Sequence, residues 1–338
     1  MIMAWREFPT GSLACYSFGG TFRECHDARI ARRVANACGQ THKVIQVGKE
    51  FLSQFGHYAE RSVYLTDGCV HVTHSPDLYV NQIAAQIAPV RMTGNYGGEV
   101  LRSTRAFKPV EPSPGLFADE LQPHFLAAKQ TYSSISDVHP VTFAAFRQAP
   151  WHHVGLLSLE QTQLTLRTPF LDNQILRAAY RAPISSLQGA GPCLGLIGDG
   201  NPSLLQIPTD RGLGGVHNGF RAAWSRNYLD VSAKAEYAYD YGMPQWVAAI
   251  DYILSPLKLE RLFLGRHKFY HFRVWYRDVL RDYVRETLLD SRSLSRPYVN
   301  RAKVESIVEG HLRGSENHTT SIHKLLTLEL AHRLFIDA

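Results

Sequence analysis

Val90-Arg91-Met92-Thr93-Gly94-Asn95-Tyr96-Gly97-Gly98-Glu99-Val100-Leu101-Arg102 is the stretch that decides the fold class. A short apolar run closes at Thr93, three glycines follow, and from Glu99 the pattern opens a helix. This is the layout of a loop leaving the carboxyl edge of a buried strand, where α/β proteins place their ligands. Glycines there let backbone N–H groups approach an anion, and the helix start adds a positive dipole end. A plain tight turn carries the same signature, so the surrounding chain has to decide between the two.

Upstream, Leu78, Ile83 and Ile87 mark a helix that Pro89 stops just before the strand Val90 to Thr93. Nearer the start, Leu13-Ala14-Cys15-Tyr16-Ser17-Phe18 is apolar and aromatic enough for a buried strand ending at Gly19-Gly20. Ile30, Val34 and Cys38 then recur at helical spacing, predicting a helix from Asp27 to Cys38. Asp27 is its expected N-cap and Gly39 its expected stop. His42 to Val47 returns as a second strand, completing a βαβ unit suited to parallel pairing. A further helix is expected around Phe51 to Glu60. Two repeats of strand, glycine-rich turn and helix predict an α/β, doubly wound parallel sheet.

Downstream, Pro109, Pro112, Pro114 and Gly115 mark a loop between Lys108 and Leu116. Thr168-Pro169 interrupts a mostly helical region, and Asp172 caps the helix of Ile175, Leu176 and Ala179. Gln188 to Gly219, rich in Gly, Pro and Asn, is expected to be irregular. The last third is α. One helix carries Phe272, Tyr276, Val279, Tyr283 and Val284; another carries Val304, Ile307, Val308 and His311 and ends at Gly314. The final helix carries Ile322, Leu325, Leu326, Leu330 and Leu334. The expected division is a partial nucleotide-binding α/β core at 1–182 and a helical part at 183–338.

The 338 residues suffice for an ample core, and 45% hydrophobic with 20% charged residues argues against disorder. No apolar run is long enough to span a bilayer, and Met1 to Thr10 does not resemble a signal peptide, which predicts a cytoplasmic protein. The five cysteines are scattered without a C-x-x-C pair, suggesting neither a disulfide framework nor a cysteine zinc site. A net charge of +6 with interleaved acids suits a small anionic ligand and gives no reason to expect nucleic acid as a partner. Among 16 histidines, His71 with His74, His152 with His153, and His267 with His271 fall at ligand spacing. None neighbours a cysteine or an acidic cluster, so packed or surface histidine is the expected role, with no metal ligands.

Several stretches together resemble the synthetase domain of glutamine-dependent asparagine synthetases. Tyr16-Ser17-Phe18-Gly19 with Asp27-Ala28, Ala31, Val34-Ala35, Gly39 and His42 resembles that family's second strand and following helix. Thr93 to Glu99 resembles its S-G-E-G-x-D-E loop, with Asn95 and Gly98 where the family has acids. Arg167-Thr168-Pro169-Phe170-Leu171-Asp172 resembles its R-x-P-F-L-D segment, the most specific of these matches. Arg266-His267-Lys268 resembles its R-x-K region, and Leu325-Leu326, Glu329-Leu330 and Arg333-Leu334-Phe335 resemble its last helix.

The resemblance implies a fold of the adenine nucleotide alpha hydrolase type, truncated at its N-terminal strand, with a mostly helical C-terminal half. It implies ATP and Mg as cofactors, and adenylation of a carboxylate such as aspartate followed by displacement of AMP by ammonia. By position, Phe18, Thr93 and Gly94 would contact the nucleotide, while Lys268 and Glu99 would be catalytic. Arg167 and Asp172 would fix the neighbouring helix. The family's S-G-G-x-D-S phosphate loop and its glutaminase domain have no counterpart in this sequence, so the expected partners include a separate glutaminase or phosphate-loop-bearing subunit. The competing expectation is a catalytically inactive relative that binds a nucleotide or a partner protein.

Overall fold

A computed structural model describes residues 8–105, 109–209, 220–254, 257 and 259–337. The described residues fall into two compact units, one within 1–58, 196–287 and 306–324, the other within 59–195, 288–305 and 325–338. Both units draw residues from either side of position 182.

In the first unit, β1 (Ala14–Gly19) and β2 (Thr41–Gln46) pair in parallel, Ala14 opposite Thr41 and Gly19 opposite Gln46. The helix His26–Ala37 makes the crossover, as the spacing predicts. Its cap differs from expectation: Cys25 stands at the N-cap with no side-chain hydrogen bond, and Asp27 lies in the first turn. There the Asp27 charge complements the helix dipole without capping it. Gly39 ends the helix at φ +65°, the left-handed geometry that a C′ glycine supplies without strain. The core of this unit is aromatic. Phe55 meets Phe272, Tyr276 and Tyr283 edge-on, at centroid distances of 6.4, 6.3 and 5.3 Å.

The helix expected around Phe272 to Val284 is broken in two, Phe272–Arg277 and Arg281–Leu288. Asp278 takes φ −107° and ψ −86°, which ends the first piece. Val279, placed on the buried face by its spacing, is instead exposed. The segment expected to be irregular, Gln188 to Gly219, holds a helix at Gly191–Gly200 and a 3-10 turn at Pro202–Gln206, while residues 210–219 lie outside the described residues.

In the second unit, β3 (Val90–Met92) pairs in parallel with β4 (Thr165–Arg167). The sequence marks that second strand only as a break in the helix pattern, because three residues are too few to show a period. The described strands thus form two two-stranded parallel sheets rather than one continuous sheet. A core cluster of this unit gathers Tyr96, Val100, Val141, Ala144, Ala179 and Leu187. Arg296 binds Glu329 and Asp337, and Glu329 also takes Arg333 at 2.7 Å. No helix among the described residues is long and apolar enough to cross a membrane. All five cysteines are free.

Candidate functional site

Within the first unit, Lys268 sits on the short segment between Gly265 and His271, and three neighbours hold that segment. The N–H of His26 donates to the Arg266 carbonyl at 2.7 Å, fastening it to the start of the helix His26–Ala37. A Cβ at Gly20 would collide with the Phe269 carbonyl, so only glycine lets the end of β1 approach this closely. The Phe269 ring meets Phe18 edge-on at 5.2 Å. Phe18, expected at the nucleotide, and Lys268, expected to be catalytic, therefore share one neighbourhood.

The third neighbour is the helix Phe220–Tyr237 and its π-helical continuation Ala238–Gly242. Ser232, Glu236 and Asp240 recur at every fourth position and meet the segment in turn. Ser232 Oγ lies 2.8 Å from His267 Nε2. Glu236 accepts the Gly265 and His267 N–H groups at 2.5 and 2.8 Å. Asp240 binds the Lys268 ammonium directly, with both side chains buried. The same ammonium lies 4.0 Å from the Tyr241 ring centroid and 5.0 Å from that of Tyr237. His271, fully buried, stands 3.5 Å from both Glu236 and Asp240. Burial pushes the Asp240 carboxyl up, but the Lys268 charge and the His271 ring outweigh it and leave its pKa below the usual value. Burial pulls the Lys268 pKa down, with the Asp240 charge opposing.

Within the second unit, Thr93, Gly94 and Glu99 come together around the loop after β3. The Thr93 N–H donates to the Arg167 carbonyl at 3.0 Å, and Thr93 Oγ1 accepts the Asn95 N–H at 3.2 Å. Tyr96 takes φ +68°, a left-handed geometry unusual for a bulky residue, and its buried hydroxyl lies 3.1 Å from His153 Nδ1. That turn opens the helix Gly97–Arg102, two residues before the Glu99 start expected from sequence. Gly97 packs under Phe170, whose ring a Cβ would approach to 3.0 Å. Glu99 accepts the Gln148 amide at 3.0 Å. Gly94, Asn95, Tyr96, Glu99 and His153 line a cavity of about 350 Å³. Burial lowers the His153 pKa, with Glu99 opposing, so the neutral ring suits a hydrogen-bonding role.

Two of the histidines flagged by spacing meet neighbouring side chains. His74 binds Asp77 at 2.8 Å, and His267 stacks on His26 at 5.0 Å. Burial and the neighbouring His153 push His152 down to about 4. Among the described residues no group of three His, Cys, Asp or Glu could hold a metal ion. Sequence reasoning missed Glu236, Asp240, Gln148 and the hydroxyl partner of His153. The first two had a legible signal, an acid at every fourth position after Ser232. Gln148 had none.

Each helix-rich α/β unit thus carries its own set of polar side chains beside a short parallel strand pair. Residues 263–333, which include Lys268 and most of the final helix, match the family model for asparagine synthase. No curated protein and no solved structure matches the chain.

Proposed function

We propose that this chain is the synthetase-type part of an ATP-dependent amide-forming ligase, with a fold of the adenine nucleotide alpha hydrolase type. The observation that carries this reading is the asparagine synthase match over residues 263–333, which contains Lys268. In the proposed reaction a substrate carboxylate oxygen attacks the α-phosphorus of ATP and pyrophosphate leaves. Ammonia then attacks the acyl carbon, AMP departs, and a proton is lost from nitrogen. Adenylation converts a poor leaving oxygen into a good one, and positive charge near the α-phosphate stabilises the charge that builds there.

Phe18, Thr93 and Gly94 are assigned to the nucleotide, and Lys268 and Glu99 to the chemistry. The residues present are compatible with these roles. Gly94 has open space where a Cβ would stand, leaving its backbone approachable. Magnesium at ATP sites needs only one or two protein carboxylates beside the phosphates, and Glu99 is one such group. Magnesium bound there would neutralise phosphate charge. Aspartate is the proposed carboxylate, ammonia the nucleophile, and a separate glutaminase or phosphate-loop-bearing subunit the proposed partner. A cytoplasmic location belongs to the same proposal.

A second reading, an inactive relative that binds a nucleotide or a partner, is favoured by two observations. Asn95 and Gly98 carry no carboxylate, and Lys268 is already neutralised by Asp240. Carboxylate-dependent exchange of labelled pyrophosphate into ATP separates the two readings. Exchange that requires aspartate or another carboxylate supports the ligase. ATP binding without exchange, in the presence of every candidate partner subunit, supports the inactive relative.

A further inference from the structure

A cavity of about 810 Å³ in the first unit has no part in that reaction: none of Phe18, Thr93, Gly94, Glu99 or Lys268 lines it. Thr21 and Phe22, just after β1, and Lys49, just after β2, place it at the carboxyl edge of that strand pair. Ligands of parallel sheets gather at such edges. The broken helix supplies much of the wall, with Trp275, Arg277, Asp278 and Arg281 all lining the cavity.

Its charge is unbalanced. The two acids in the lining, Glu260 and Asp278, are both taken by Arg277, at 3.6 and 2.8 Å. Lys49, Arg261, Arg281 and Arg313 line the same cavity, and their side chains make no ion pair or hydrogen bond among the described residues. Single unpaired cations are ordinary on a protein surface. Four around one concavity repel one another, and a bound anion relieves that repulsion. Arginine forks match phosphate oxygens in bidentate fashion, and Phe22, Leu52 and Trp275 give an apolar wall for the rest of a ligand.

We propose that this cavity binds a small molecule carrying two or more negative charges on phosphate, as a phosphate ester or diphosphate. The site is independent of the amide-forming reading, and each stands if the other fails.

Isothermal titration calorimetry of the full chain with inorganic pyrophosphate tests the proposal, since that ion carries the charge without the body. The expected result is saturable binding that weakens with added salt and that Arg281→Gln and Arg313→Gln each reduce about tenfold. Lys129→Gln, an exposed change elsewhere, leaves it unaltered. Both arginines are exposed, and circular dichroism establishes that their variants fold. Absence of saturable binding, or binding that neither variant weakens, overturns the site. Binding of malate through the same arginines, with none of pyrophosphate, overturns the phosphate class.

Discussion

Asp240 and Lys268 are the residues on which most of the local argument turns. A buried ion pair contributes little net stability against a well-packed apolar pair, but removing one partner strands the other charge. Asp240→Ala is expected to destabilise the chain by about 3–5 kcal/mol in urea unfolding, and Asp240→Leu with Lys268→Met to recover most of that loss. His311 supplies a pH test. Burial pushes its pKa down to about 3, with the Arg273 charge adding to the effect, and its Nδ1 accepts the His318 N–H at 3.1 Å. Between about 6.5, the usual histidine value, and about 3, the unfolded chain binds a proton that the folded chain refuses. Stability therefore falls as pH drops through that window, by up to about 1.4 kcal/mol per unit. His311→Gln is expected to remove one proton's share of the slope in urea unfolding across that range.

At the scale of elements, the loop after β3 and the helix it opens stand or fall on small residues. Gly97→Val drives a branched side chain into the Phe170 ring, with an expected cost of about 1–3 kcal/mol in thermal unfolding. Asp172→Ala removes the cap at which the Asp172 carboxylate accepts the Gln174 N–H at 2.8 Å, with an expected cost of about 1 kcal/mol. That cap, the crossover helix and the β1–β2 pairing were legible because each has its own local signal: a capping residue, a 3.6 period, a turn glycine. β4 was not legible, since its three residues are set by their pairing with β3. The break at Asp278 was equally hidden. Tyr276 and Val284 keep a helical spacing across it, and only the backbone shows that Val279 faces solvent. The polar ladder of Ser232, Glu236 and Asp240 was readable in spacing, but what it faces depends on a segment 28 to 35 residues further on.

For the whole molecule, the central claim is amide formation through an adenylate, resting on a family match that covers the last part of the chain. Lys268 belongs to the first compact unit and Glu99 to the second, and each carries its own proposed role. Replacing either should reduce turnover, about 10²–10³-fold for a group that stabilises transition-state charge, while ATP binding survives. The net charge of +6 and the acids interleaved with it leave room for an anionic substrate without a long-range field. The most direct measurement is product analysis of a reaction containing ATP, magnesium, aspartate and ammonia, with the full chain and any phosphate-loop subunit found to bind it. The account predicts equal amounts of AMP, pyrophosphate and asparagine, greatly reduced in Lys268→Gln and Glu99→Gln. ADP and phosphate in place of AMP and pyrophosphate, or yields that both variants leave unchanged, would contradict it.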